Sequence, residues 1–448
     1  MSLGITDQFP QADSLPPLPN GWRYELLGDL VDERGVSYGI VQPGRETADG
    51  VPIVRVNNIR NGRIDTADML KVEACVEAKF QRSRLRGGEV LLTLVGTLGE
   101  VAIVPANLNG WNVARAVGVI PVRPDPGSLW LSICLRSELI QHCIRTWATS
   151  TVQAKFNLRD LVKLPIPMPP KEIRESIAHI LGTLDDKIEL NRRMNATLEA
   201  MAQALFQSWF VDFDPVRRNA EGATPRPEDS LFPDSFEDSA MGEIPKGWRC
   251  STISDVCEIN EWTLSKKDGL SELEYVEISE VNRGDIGNIP IYIRGEEPSR
   301  ARRRLRHGDT VLSTVRPDRG AYFLSLNPPI KRVVSTGFVV LTPTKAPWSY
   351  VHAAIIQPEV SDHLGHVADG GAYPAVSPEI IGACNVALPA GSKVLEAFHQ
   401  VCAPRFERAE ANRIESRTLA ALRDTLLPKL LSGELPPNHS NTETFGNV

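Results

Sequence analysis

The chain contains one pattern twice. Pro19, Gly21 and Trp22 recur as Pro245, Gly247 and Trp248, 226 residues on, and Asp29 recurs as Asp255 at the same offset. Val54, Val56, Ile59, Gly62 and Ile64 correspond to Val276, Ile278, Val281, Gly284 and Ile286 at an offset of 222. Arg84, Leu85, Arg86, Gly88, Glu89, Leu92 and Thr93 correspond to Arg304, Leu305, Arg306, Gly308, Asp309, Leu312 and Ser313 at 220. Gly118 and Pro124 match Gly337 and Pro343 at 219, and Ile166 and Pro169 match Val386 and Pro389 at 220. Offsets that drift this little over so long a stretch identify a tandem duplication of one module.

Each module has the same internal order. Val51 to Val56, Glu89 to Val95 and Gly118 to Val122, with Tyr275 to Ile278, Thr310 to Val315 and Gly337 to Leu341, are short and β-branched, bounded by Gly, Pro or Asn, and read as strands. After Pro169 and Pro389 the apolar period lengthens from about 2 to about 3.6, the mark of a helix. The first helix carries Ile173, Ile177, Ile180, Leu184, Ile188, Asn191, Asn195, Leu198, Ala202, Leu205 and Trp209 in steps of three and four, a coiled-coil seam. Asparagines on such a seam cost stability and specify register. The second helix carries Phe398, Cys402, Ala409, Asn412, Leu419, Leu426 and Leu430, with Pro404 expected to kink or restart it. At an offset of 221, Asn191, Leu198, Leu205 and Trp209 fall on Asn412, Leu419, Leu426 and Leu430. The expected fold class is α+β: two mixed α/β domains in tandem, each followed by a long helix. The two helices are expected to pack as an antiparallel coiled coil holding the domains apart, which suits bipartite recognition of a linear polymer.

Composition narrows the function. With 448 residues, 42% hydrophobic and 23% charged, the chain has length for more than one core. The polar N-terminus MSLGITDQFPQADSLPPLPNGW resembles no signal peptide, and no run of 18 uncharged apolar residues occurs, so a cytoplasmic location without membrane contact is expected. Seven cysteines without a CxxC pair fit neither a disulfide framework nor a zinc site. A net charge of −7 argues against coating DNA by charge alone. Charge is unevenly spread, however: Arg300, Arg302, Arg303, Arg304, Arg306, Arg316 and Arg319 cluster, while Glu221 to Glu243, containing PEDSLFPDSFEDSAMGE, reads as an exposed acidic linker.

Several long segments resemble the specificity subunits of Type I restriction-modification systems. They are IAHILGTLDDKIELNRRMNATLEAMAQALFQSWFVDFDPV (Ile177 to Val216), GEIPKGWR (Gly242 to Arg249), RLRHGDTVLSTVRPDRGAYF (Arg304 to Phe323), DGGAYPAVSPEII (Asp369 to Ile381) and LRDTLLPKLLSGEL (Leu422 to Leu435). The resemblance implies target-recognition domains at 1–168 and 244–388, conserved helical regions at 169–214 and 389–433, a linker at 215–243 and a flexible tail at 434–448. It implies a non-catalytic subunit that binds double-stranded DNA, two methyltransferase subunits and two motor-nuclease subunits, directing adenine methylation or ATP-dependent cleavage. The chain itself would hold no cofactor or metal, and S-adenosylmethionine, ATP and Mg would belong to the partners. The alternatives are a stand-alone DNA methyltransferase and a coiled-coil adaptor that does not touch DNA.

Catalytic signals are weak. Asn327-Pro328-Pro329-Ile330 approximates the Asn-Pro-Pro-aromatic motif of amino-methyltransferases, but Ile330 replaces the ring and no Gly-rich cofactor loop precedes it. No Walker loop or HExxH motif is present. Candidate DNA contacts lie on loops: Arg316 and Arg319, which flank a Pro-Asp turn after a strand, and Thr97 in the equivalent loop Val95 to Gly99. Arg55, Asn57 and Asn58 stand opposite Glu277, Ser279 and Glu280, and Gln153 and Lys155 opposite Tyr373. Asn and Gln can pair with adenine, Glu can accept from cytosine and Lys can hold phosphate. Each of these also suits a surface turn, and Arg300 to Arg306 suits either a DNA-facing patch or a solvated strand edge. Trp22 and Trp248 fit packing at the start of each domain.

Overall fold

The computed structural model describes residues 15–60, 62–148, 154–224, 226–369, 371 and 374–437. It is a mixed α/β protein with two long helices, Lys171–Phe206 and Lys393–Leu431. It divides into two compact units, residues 1–188 with 418–448, and residues 189–417, the division falling inside both long helices.

In the first unit a four-stranded antiparallel sheet runs in the order Ser37–Tyr38, Val117–Ile120, Val90–Thr93, Val101–Ile103. All four residues of Val90–Thr93 are buried, as expected for a β-branched and leucine-rich strand at the middle of a sheet. A second sheet orders Leu70–Val72, Val51–Val54 and Asn112–Val113, the last pair parallel. The chain enters along Arg23–Leu26 and leaves along Pro165–Met168, which pair antiparallel. Helices Ser128–Arg136 and Glu138–Trp147 supply Trp130, Leu131, Ile140 and Ile144 to the core, where Ile177 and Leu430 from the long helices join them.

The second unit repeats this plan. Its four-stranded sheet runs Cys257–Ile259, Phe338–Pro343, Asp309–Ser313, Tyr322–Ser325, and its second sheet Ile291–Ile293, Glu272–Val276, Arg332–Ser335, Ala301–Arg304. Arg249–Thr252 pairs antiparallel with Asn385–Leu388. Register corrects one part of the repeat read from residue matching. Leu92 lies opposite Gly118 and Leu312 opposite Val339, so Val339 rather than Gly337 is the counterpart of Gly118.

Two other expectations change. The stretch Glu221 to Glu243 is not simply an exposed linker. Asp229 is fully buried against Arg218, whose guanidinium holds its carboxyl below the usual carboxylate range. Asn219 Nδ2 donates to the Asp229 and Phe232 carbonyls at 2.8 and 3.1 Å, and Phe232 enters the core. Apolar Phe232 and one internal ion pair outweigh the polar composition around them. The second long helix runs through Pro404 without restarting. Proline removes one backbone bond there, but Phe398, Cys402, Ala403, Phe406 and Ala409 bury the surrounding face and hold the helix together.

The first long helix ends in a π-helical turn, Gln207–Val211. The wider turn lets consecutive residues Trp209 and Phe210 both face inward, where with Phe206, Phe213, Phe232, Trp248, Tyr350 and Phe398 they form an aromatic core. Trp248 thus packs the start of its domain.

Asp309 and Glu89 occupy equivalent buried sites with different support. Glu89 pairs with Arg34 at 2.9 Å and accepts from the Arg86 amide. Asp309 accepts from the Arg306 amide at 2.6 Å, and its Oδ1 has no partner. Burial pushes the Asp309 carboxyl up to about 6. A raised carboxyl favours the folded state when protonated, so its contribution is lost as pH climbs from 3.8 through about 6. Asp309→Asn keeps an acceptor for the Arg306 amide and removes the charge. It should raise unfolding free energy by on the order of 2 kcal/mol near neutral pH and by almost nothing near pH 4. Denaturant unfolding at both pH values measures this, and an equal effect at both would contradict burial as the cause.

Candidate nucleic-acid interface

In the first unit a 3-10 turn, Val56–Asn58, follows the strand Val51–Val54. Asn58 closes it from inside: its Oδ1 accepts from the Arg55 amide at 3.0 Å and its Nδ2 donates to the Asp68 carbonyl at 3.0 Å. The side chain is buried, so it holds the turn and is not free to meet a base edge. Arg55 donates to the Asp68 carboxylate at 3.1 Å. Asn57, one residue away, is exposed. Arg55, Asn57, Arg60, Gly96, Thr97 and Glu100 line one depression of about 740 Å³. Lys155 pairs with Val95, another residue of that wall. The fold therefore brings Arg55, Asn57, Thr97 and Lys155 together, while Gln153 lies outside the described residues. Arg60 and Glu100 were not singled out from sequence, because only the hairpin Ile59–Arg60/Arg63–Ile64 and the loop after Thr93 carry them to this wall.

The second unit builds the same turn as Ile278–Glu280. Glu277 and Ser279 are exposed. Glu280 accepts from the Asn288 amide at 2.8 Å and so stabilises the neighbouring hairpin. The loop equivalent to Val95–Gly99 becomes a 3-10 turn, Pro317–Arg319, with Arg316 as its N-cap and Arg319 exposed. The Arg316 amide donates to the Pro374 carbonyl at 2.8 Å, and Val315 pairs with Ala375 as Val95 pairs with Lys155. Tyr373 lies outside the described residues.

Two of the arginines before this loop, Arg304 and Arg306, are spent on structure. Arg306 stacks on Trp262 at 3.6 Å from the ring centroid and pairs with Glu261, and Arg304 pairs with Asp268 at 3.0 Å. Asn327-Pro328-Pro329-Ile330 forms a turn in which Asn327 Oδ1 meets His307 Nδ1 at 3.0 Å and Ile330 is 72% exposed. No group of three or more His, Cys, Asp or Glu is placed to hold a metal among the described residues.

The helix-seam residues all face inward. Ile177, Asn191, Asn195, Trp209, Asn412 and Leu430 are buried, and Leu184, Ile188, Leu198, Leu205, Leu419 and Leu426 half-buried. In the second unit Asn412 Nδ2 donates to Asn195 Oδ1 at 2.8 Å, Asn195 Nδ2 donates to the Ala409 carbonyl at 3.0 Å, and Asn191 Nδ2 reaches Ser416 Oγ at 3.4 Å. In the first unit Asp185 lies between Arg136 and Arg423 at 2.8 and 2.7 Å. Burial would raise its carboxyl, but the two guanidinium groups hold it below the usual carboxylate range.

The two modules carry equivalent loops that present different side chains, and the chain is similar to proteins of known kind. Residues 27–200 match the Type I restriction modification DNA specificity domain. The chain is 30% identical over 198 residues to the EcoBI specificity subunit of a Type I restriction enzyme from Escherichia coli, covering 42% of each chain. It is 21% identical to the MjaIX specificity subunit of Methanocaldococcus jannaschii over 96% of both. In fold it is similar to the crystal structure of the Type I restriction-modification S subunit from M. genitalium, with a TM-score of 0.51 and 15% identity, covering 93% of this chain and 98% of that one. Over residues 27–200 the chain resembles the specificity domain of Type I restriction-modification systems. The match to the Escherichia coli relative spans less than half of that relative's length.

The different roles of adjacent asparagines are separable. Asn58→Ala removes two buried hydrogen bonds and should cost ~1–3 kcal/mol of stability. Asn57→Ala should change stability by less than about 0.5 kcal/mol while weakening DNA binding. Thermal unfolding and binding titrations of both variants check this, and destabilisation by Asn57→Ala would reverse the assignment.

Proposed function

We propose that this chain is the DNA sequence-specificity subunit of a Type I restriction-modification complex. Each module reads one half of a bipartite target, and the chain directs adenine methyltransferase and ATP-dependent endonuclease subunits, two of each. The observation that carries this reading is one scaffold bearing two sets of exposed side chains. Asn57 stands where the other module has Ser279, Arg55 where it has Glu277, and Gly96 where it has Arg316. Equivalent backbone with opposite charge and hydrogen-bonding character is what two different half-sites require.

Arg316 and Arg319 suit phosphate or guanine, and Asn57 suits adenine. The two long helices pair antiparallel as a coiled coil. In support, contacts descend along one helix as they ascend the other: Asn191 meets Ser416, and Asn195 meets Asn412. The buried amides fix that register. The recognition segments run 1–168 and 244–388, and the helical regions 169–214 and 389–433. S-adenosylmethionine, ATP and Mg belong to the partner subunits, and the complex works in the cytoplasm. No helix among the described residues is long and apolar enough to cross a membrane. A stand-alone methyltransferase is not favoured, since its one candidate motif is an exposed turn.

Each module opens and closes on adjacent strands, as Arg249–Thr252 does on Asn385–Leu388, so a module can be exchanged without rerouting the chain. Replacing Ile244 to Leu388 with the corresponding segment of a relative should change one half of the methylated motif and leave the other intact. Methylome sequencing reads this directly, and change in both halves would overturn independent reading. Arg316→Ala in the assembled complex should weaken binding by roughly 1–3 kcal/mol. With a net charge of −7, the chain alone should bind DNA weakly, and nanomolar specific binding without partners would contradict that.

A further inference from the structure

The structure assigns Arg283, at the tip of a hairpin in the second module, as a DNA-contacting residue that acts together with Arg316 and Arg319. This rests on the reading of the chain as a DNA-specificity subunit. The hairpin pairs Val281–Asn282 with Asp285–Ile286, and its turn is Arg283-Gly284. Both turn residues have positive φ, 44° and 86°, the geometry that favours Asn-Gly. The first module has that dipeptide, Asn61-Gly62, at the equivalent place. An arginine there carries a left-handed backbone that a Cβ disfavours.

A second arginine with positive φ sits in the adjacent loop. Arg316 has φ 47°, where its counterpart Gly96 has φ 84°. The two strained arginines belong to one surface. The Arg283 amide donates to the Gly320 carbonyl at 2.6 Å, and the Gly284 amide donates to the Tyr322 carbonyl at 2.7 Å. The Arg283 side chain lies across Gly320, so that a Cβ added there would meet its Cγ at 2.8 Å. Arg283 and Arg319 are exposed. Asp318, also exposed, sits between the loop arginines, and Asp285 is occupied by Arg413 Nε at 3.1 Å. That ion pair fastens the hairpin to the second long helix, and Arg413 pairs in turn with Glu199. In the first unit the equivalent hairpin contributes Arg60 to the depression that holds Asn57 and Thr97. Positive φ retained at Arg283 and at Arg316, in a hairpin and the loop it contacts through Gly320, where the other copy has Asn61 and Gly96, marks side chains kept for what they bind. Exposed guanidinium groups on loop tips suit phosphate oxygens or a guanine edge of duplex DNA.

The test is Arg283→Asn, which installs the Asn-Gly dipeptide that the first module has in sequence. The assembled methyltransferase complex is titrated with duplex carrying its methylome-determined split site across a series of salt concentrations. Thermal unfolding is measured on the same preparations. The expected result is binding looser by about tenfold at an unchanged or higher unfolding midpoint. A salt slope lower by about one unit would assign a phosphate contact, and lost preference at a single base pair a guanine contact. Unchanged affinity at every salt concentration would overturn the proposal and leave the specificity reading standing. Weaker binding with a lowered midpoint would also overturn it, because the arginine would then serve the turn itself. A wild-type complex that fails to prefer its split site would overturn the specificity reading as well.

Discussion

In both modules a large aromatic side chain donates a buried hydrogen bond to the strand on which the chain leaves the domain. Trp130 Nε1 reaches the Pro167 carbonyl at 3.1 Å, and Tyr350 Oη reaches the Ala387 carbonyl at 2.8 Å. Both aromatic residues are among the largest fully buried side chains. Each bond ties the first helix after the main sheet to the ladder formed by the first and last strands of the module. Leaving a carbonyl at that depth unpaired would cost its desolvation, on the order of 1–3 kcal/mol, so the aromatic donor and the closing strand depend on each other. Indole and phenol solve the same problem, which is why the duplication survives there without residue identity.

A domain closed in this way leaves its connecting loops free to differ. The strands that carry the candidate contacts are buried on nearly every residue, so change there meets close packing. The turns at their ends meet solvent. The 3-10 turn after the inner strand Val51–Val54 or Glu272–Val276 of the second sheet, and the loop after the central strand of the first, are where the modules differ in charge. Even so, the scaffold constrains them. The backbone after the central strand must pass through a left-handed conformation in both copies, at Gly96 and at Arg316. One copy meets that demand with glycine, and the other accepts strain to keep an arginine.

Much of this was legible beforehand, and the exceptions share a cause. Repeat matching located both modules and the main strands, because β-branched runs between turn residues reflect local sterics. It slipped where Gly118 was matched with Gly337, since register is a property of paired strands and a glycine carries no mark of what lies opposite. Composition made Glu221 to Glu243 a linker, yet Asp229 and Phe232 are buried by partners that only the folded chain supplies. Pro404 carried a helix-breaking signal, overridden by apolar neighbours on one face. Asn57 and Asn58 were equivalent on paper, and the turn alone separates an exposed amide from a buried one.

The sequence by itself determined that there are two copies of one mixed module, each followed by a helix with an asparagine-bearing seam, and no recognisable catalytic motif. These follow from periodicity and residue type, which are written along the chain. The tertiary structure decided which side chains share a surface. Arg55, Asn57 and Thr97 meet in one depression, and Arg283 crosses Gly320 beside Arg316, only because sheet pairing brings segments tens of residues apart to one edge. The same packing diverted Arg304 and Arg306 onto Trp262 and its acidic neighbours. Contact between distant residues is set by strand register and turn geometry acting together, and no local stretch of sequence encodes either alone.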